Sequence, residues 1–118
     1  MSEDPISFLP LSPATLHILL SLAAEDRHGY GIMQEVTRQS GGQYKLGPGT
    51  LYDNLQKLMN QGMVESAPPR SADDDPRRRY YRLTRLGRFV LSAEIARLDG
   101  VVREAKLHLH WQSPGGAV

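Results

Sequence analysis

Residues 47–64 read Gly47-Pro48-Gly49-Thr50-Leu51-Tyr52-Asp53-Asn54-Leu55-Gln56-Lys57-Leu58-Met59-Asn60-Gln61-Gly62-Met63-Val64, and the rest of the chain is organised around them. Leu51, Leu55, Leu58 and Met59 recur at i, i+4, i+7 and i+8, which places them on one face of a helix. Pro48 suits a first turn, where its missing N–H costs nothing. Gly62 supplies the left-handed residue that closes a helix. The spacing of Thr50 and Asp53 predicts a capping box at the start. Opposite the leucines lie Gly49, Thr50, Asp53, Gln56, Lys57 and Asn60, with Tyr52 and Asn54 on the flanks. Most of these side chains are short or hydrogen-bonding rather than simple solubilisers. An ordinary surface helix would instead carry Glu, Lys and Arg in i, i+4 pairs. Taken alone, the stretch fits a plain surface helix as well as a DNA-reading one, so its neighbours decide.

Upstream, Ser12-Pro13 opens a first helix with an apolar stripe of Leu16, Leu19, Leu20 and Ala23. After a polar turn, Tyr30 to Ser40 forms a second helix with Ile32, Met33 and Val36 inward, ended by Gly41-Gly42. Downstream, Met63–Ala67 and Arg78–Leu83 alternate with the period of strands, joined by a polar loop that holds Asp73, Asp74 and Asp75. In the second strand Tyr81 and Leu83 are expected to face the core, and Arg78, Tyr80 and Arg82 the other side. Six arginines (Arg77, Arg78, Arg79, Arg82, Arg85 and Arg88) fall in this short span without one acidic residue among them. Guanidinium groups pair well with phosphate, so a hairpin edge of this kind suits a nucleic-acid backbone. The competing reading is a solvated charge run paired with the loop aspartates. A helix with a hydrogen-bonding outer face followed by a basic hairpin has the order of a winged-helix DNA reader.

Thr84 caps a final helix that runs to Ala105 and as far as Trp111. Leu86, Phe89, Val90 and Ala93 are expected to pack back on the domain. Leu91, Ile95, Leu98, Val102, Ala105 and Leu109 follow at spacings of 4, 3, 4, 3 and 4, the repeat of a coiled-coil seam. A helix of about 25 residues extends about 37 Å, longer than the body before it. A second copy of the chain is therefore the expected partner, the other reading being an intramolecular cap. The expected fold is mostly α with a small β-hairpin: a winged helix-turn-helix plus a long C-terminal dimerisation helix. Its segments are an N-terminal piece at 1–11, the winged-helix domain at 12–84, the dimerisation helix at 85–111 and a flexible tail at 112–118. Residues 1–11 carry Ile6, Phe8, Leu9 and Leu11, too apolar to leave in solvent, and are expected to dock on a partner surface.

Composition narrows the function. A chain of 118 residues fits one domain, and its net charge of +1 averages over strongly segregated charge. Without cysteine there is no thiol catalysis, disulfide or thiolate zinc site. His108 and His110, at i, i+2, point to different sides of a helix and make no metal pair. No histidine-acid-nucleophile set is evident, so neither an enzyme nor a cofactor is expected. With no signal-like or membrane-length segment, a cytoplasmic location is expected.

The chain resembles the PadR family of winged-helix transcriptional regulators, in its short form with one C-terminal helix. The likeness runs from about Leu11 to Lys106. It is carried by Leu11-Ser12, His28-Gly29-Tyr30-Gly31-Ile32, Gly49-Thr50-Leu51-Tyr52, Arg79-Tyr80-Tyr81-Arg82-Leu83-Thr84 and Leu86-Gly87-Arg88. The resemblance implies a homodimeric repressor on an inverted repeat of double-stranded DNA, released in several members by a small aromatic or drug-like ligand near the dimer interface. It matches Thr50 and Tyr52 to the start of the recognition helix, and Arg78 and Arg79 to the basic wing strand. Asp53 stands where the family commonly has proline. The expected DNA-binding set is Thr50, Tyr52, Asp53, Gln56, Lys57, Arg77, Arg78, Arg79, Tyr80 and Arg82. A seam interrupted by Gly100 is expected to leave an apolar pocket near Trp111. The alternative function is a winged-helix ligand-sensing or protein-interaction module without DNA binding.

Overall fold

The structure is a computed structural model and describes residues 4–69 and 75–110. Asp73, Asp74, Trp111 and the tail at 112–118 lie outside the described residues. A 3-10 turn at Pro5–Phe8 leads into α1 (Pro13–Ser21), β1 (Arg27–His28), α2 (Gly29–Gln39), α3 (Pro48–Asn60), β2 (Val64–Ala67), β3 (Tyr80–Leu83) and α4 (Arg85–Leu109). The helix starts follow side-chain chemistry. Ser12 accepts from the Thr15 N–H, the His28 ring from the Gly31 N–H, and Thr84 from the Gly87 N–H. Gly41, Gly42 and Gly62 all have positive φ where α2 and α3 end.

The core closes where α1, α2 and α3 converge on the sheet and the first half of α4. Ile18, Leu19, Leu22, Ile32, Val36, Leu51, Leu55, Leu58, Met63 and Val90 are all essentially buried. Burying an aliphatic or methionine side chain of this size contributes about 1.5–3 kcal/mol, so the α3 leucines hold that helix firmly against the body. Its opposite face is left exposed.

Three expectations change. The sheet has three strands in the order β1-β3-β2, both pairings antiparallel. The two-residue β1, expected only as a turn, pairs Arg27 with Tyr81 and His28 with Tyr80. This makes β3 the central strand, and Tyr80 is buried rather than displayed on an open basic face: the His28 ring meets it edge-on, centroids 5.3 Å apart. Second, no capping box forms. Because α3 starts at Pro48, the cap position falls to Gly47, which has no side chain to accept the helix N–H groups. Third, Phe89 is half exposed, with the Arg85 guanidinium over its ring at 5.5 Å, while Leu91 sits inside the protomer's core.

The N-terminal segment packs along α4 of its own chain. Phe8, Leu9 and Leu11 lean on the core, and the Leu11 N–H donates to the Glu94 carboxylate at 3.0 Å. Glu94 is buried and also takes two bonds from Arg97, at 2.6 and 3.0 Å. The Arg97 guanidinium holds its carboxyl below the usual range, so the charge survives burial. Beyond Leu98, α4 leaves the body and residues 99–110 are exposed throughout.

Candidate nucleic-acid interface

The outer face of α3 and the base of the hairpin meet at a groove of about 370 Å³ lined by His28, Gly29, Tyr30, Tyr52, Arg77, Arg78, Arg79 and Tyr81. Three elements build it. Gly29 opens α2 so close to α3 that a Cβ there would lie 2.3 Å from the Tyr52 hydroxyl. The absence of a side chain at Gly29 is thus what lets the Tyr52 ring lie against the start of α2. β3 supplies Tyr81, whose hydroxyl is raised above its ordinary range by burial, against the pull of Arg79 beside it. The turn before β3 supplies the arginines.

These arginines differ in what holds them. Arg77 is tied to Asp75, whose carboxylate accepts from its side chain twice at 3.2 Å and from its backbone N–H at 2.9 Å; the guanidinium holds Asp75 below the usual carboxylate range. The pairing of loop acid with arginine is therefore real at this position. The Arg78 guanidinium approaches His28 Nε2 at 3.2 Å. Arg79 faces the groove beside Tyr81. By contrast, Arg82 is bonded across the ladder to its register partner Glu65 at 3.1 Å, which takes up much of its donor capacity. An exposed pair of this kind contributes little to stability but still directs the guanidinium along the sheet.

On α3, Thr50, Tyr52, Asp53, Gln56 and Lys57 are exposed together, and Gln56 donates to Asn60 at 3.2 Å. Asn54 is turned the other way: its amide donates to the Thr50 carbonyl and its carbonyl accepts from Thr15, tying α3 to α1. The residues that sequence reasoning missed are His28, Gly29 and Tyr30. Their signal was present in the His28-Gly29-Tyr30 run, but only the pairing of β1 with β3 brings it to the arginines.

Further along the chain, Leu91 is in the core and Leu98 half-buried, while Ile95, Val102, Ala105 and Leu109 stand exposed on α4. Shallow apolar hollows lie along that helix, one lined by Val102, Ala105, Lys106 and Leu109. Among the described residues no cluster of His, Cys, Asp or Glu could hold a metal ion, and no helix is long and apolar enough to cross a membrane.

Two packed helices, a third with a polar outer face, and a small sheet with arginines at its rim define a winged-helix regulator. A model of the PadR-like transcriptional regulators matches residues 18–93, and the chain belongs to that family. Over 89 residues it is 36% identical to the transcriptional regulator Rv3488 of Mycobacterium tuberculosis, covering 75% of this chain and 78% of that protein. A PadR family transcription regulator from hypervirulent Clostridium difficile R20291 shares the fold with a TM-score of 0.70 at 21% identity, over 83% of this chain and 99% of that one. Bacillus subtilis PadR, solved in complex with operator DNA, shares it with a TM-score of 0.58 at 21% identity, over 69% of this chain and 45% of that one. The family is one of transcriptional regulators rather than enzymes.

Proposed function

We propose that the protein is a homodimeric, sequence-specific DNA-binding repressor, with α3 in a major groove and Arg78 and Arg79 on the flanking phosphates. The observation that carries this reading is the adjacency of the exposed α3 face to a groove walled by Arg77, Arg78 and Arg79. Base edges then meet Thr50, Asp53, Gln56 and Lys57, while phosphate supplies affinity without sequence. Bacillus subtilis PadR binding operator DNA supports the same use of the fold.

Dimerisation is supported by Ile95, Val102 and Leu109, apolar and exposed at helical spacing on a rod that outruns its own domain. The operator is then an inverted repeat with half-sites centred about 10 base pairs apart, or a multiple of that. A small aromatic or drug-like effector between the subunits releases the DNA. The hollows along α4 support a site for it.

Titration of labelled upstream DNA at several salt concentrations tests the reading. Preference for one sequence over random duplex, with a steep salt dependence, is expected. Equal affinity for both refutes specific repression. No affinity for either, before and after replacing Lys57, Arg78 and Arg79 with alanine, leaves the ligand-sensing or protein-interaction module.

A further inference from the structure

The Asp53 carboxylate stands in the middle of the proposed DNA-reading face. Leu51, Leu55 and Leu58 are buried and set the inward direction of α3. At 100° per residue Asp53 lies about 190° from that stripe, and Gln56 and Lys57 lie about 130° to either side. Tyr52, about a quarter turn away, marks the flank that meets α2 and the arginine groove. The carboxylate therefore points neither at the core nor at the arginines. It is not the cap of its own helix, since that position is Gly47 and has no side-chain bond. Among the described residues no cation or donor holds it, Lys57 one turn on included.

A helix about 10–12 Å across fills a major groove about 12 Å wide, so its outermost residue faces the floor and its flanks face the walls. An ionised carboxylate only accepts hydrogen bonds. On the floor, guanine offers two acceptors, and thymine an acceptor and a methyl group. Adenine sets an acceptor beside its amino donor. Cytosine offers its amino donor alone. A carboxylate brought against guanine or thymine is desolvated without a partner, which is costly. We infer that Asp53 is a specificity-determining residue that requires cytosine at one fixed position in each operator half-site. This rests on the DNA-binding reading above and adds a base identity to it.

Selection of bound DNA from a random pool, run in parallel on the wild-type chain, Asp53→Asn and Asp53→Ala, tests the inference. The wild type is expected to enrich one motif with a cytosine at a single position per half-site. Asp53→Asn is expected to enrich adenine there, because a carboxamide matches the adenine N6 and N7 pair. Asp53→Ala is expected to lose the preference at that position and keep the rest of the motif. In titration, replacing that cytosine with guanine or thymine should weaken wild-type binding roughly tenfold to a hundredfold, and Asp53→Ala binding less than about threefold. An unchanged motif in Asp53→Ala overturns the inference. So does an equal gain in affinity for all sequences, which would make the carboxylate a mere repulsion against the DNA backbone. Either result leaves DNA binding standing, whereas failure of the wild type to enrich any motif overturns both.

Discussion

Gly87, in the first turn of α4, is the position where one methyl group does most damage. A Cβ there would lie 2.1 Å from the Met63 carbonyl oxygen and 3.1 Å from its carbon. That oxygen also accepts the Thr84 N–H at 3.1 Å, and Thr84 Oγ1 donates to the Gly62 carbonyl. The start of α4 is thus bolted to the turn that ends α3, and the obstacle is backbone, which cannot rotate away. Relief requires helix and turn to part by about 1 Å, an overpacking that costs about 1–3 kcal/mol. Loss of the Thr84 bond adds about 1 kcal/mol, and the better helix propensity of alanine returns about as much. The net expectation for Gly87→Ala is about 2 kcal/mol of destabilisation, a fall in Tm of about 8 °C. Thermal and urea unfolding, scored together, measure it. Gly100 is the control, with nothing within 4 Å of its Cβ position. Gly100→Ala should gain up to about 1 kcal/mol. A Gly87→Ala Tm equal to or above wild type would refute the packing argument.

Other perturbations separate the roles described above. The Arg38 guanidinium, helped by Arg27 and Gln39, holds Glu35 at a pKa of about 2 against the opposing effect of burial, and Arg97 and the Leu11 N–H lower Glu94. Both folded values lie below the ordinary carboxylate value of 4.5, so their stabilisation is full above that pH and is lost as pH falls below it, for Glu35 towards about 2. Tm should be flat between neutral pH and about 5 and then drop, and the deficit of Glu94→Gln, about 1–2 kcal/mol at neutral pH, should shrink over the same interval. Gly29→Ala pushes on a movable ring rather than on backbone, so it should shift Tm by less than about 3 °C while displacing Tyr52 and weakening operator binding several-fold, read by parallel melting and titration. Arg79→Ala should weaken binding to operator and random duplex alike and reduce the salt slope by about 0.9, whereas Arg82→Ala, whose guanidinium Glu65 already holds, should change the slope by less than about half of that.

The parts legible in the sequence were those set by local chemistry. Pro48, Gly62 and the leucine spacing bounded α3 closely, and Ser12 and Thr84 marked the starts of α1 and α4 through their own hydroxyls. What escaped depends on contacts distant in the chain. β1 is two residues long and has no periodicity to read; it exists because β3 pairs with it. Tyr80 alternates with Tyr81 as a strand should, but its burial comes from β1 pairing beside it and the His28 ring against it, while Arg82 on the same face stays exposed. The same pairing assembled the groove, so Arg78 and Arg79 were legible as a charge run and their neighbours His28, Gly29 and Tyr30 were not. On α4, the assignment of Phe89 and Leu91 turned on how far up the helix the body reaches, which spacing cannot tell. A buried Glu94 was invisible, because nothing local distinguishes it from a solvated glutamate.

The bond from the Leu11 amide to Glu94 joins residues 83 apart in the chain. That wide loop is closed by the packing of α1 on α4 as well as by this bond, so the segment before α1 docks once those two helices have met. In the order of assembly the segment before α1 is therefore among the last pieces to dock, and on partial opening among the first to lift away. The Leu11 amide proton then exchanges with solvent through a small excursion of the strap, while those of Leu55 and Leu58 wait for the whole domain to unfold. One backbone proton thus serves as a clock for the fastening of the chain's beginning to its last helix.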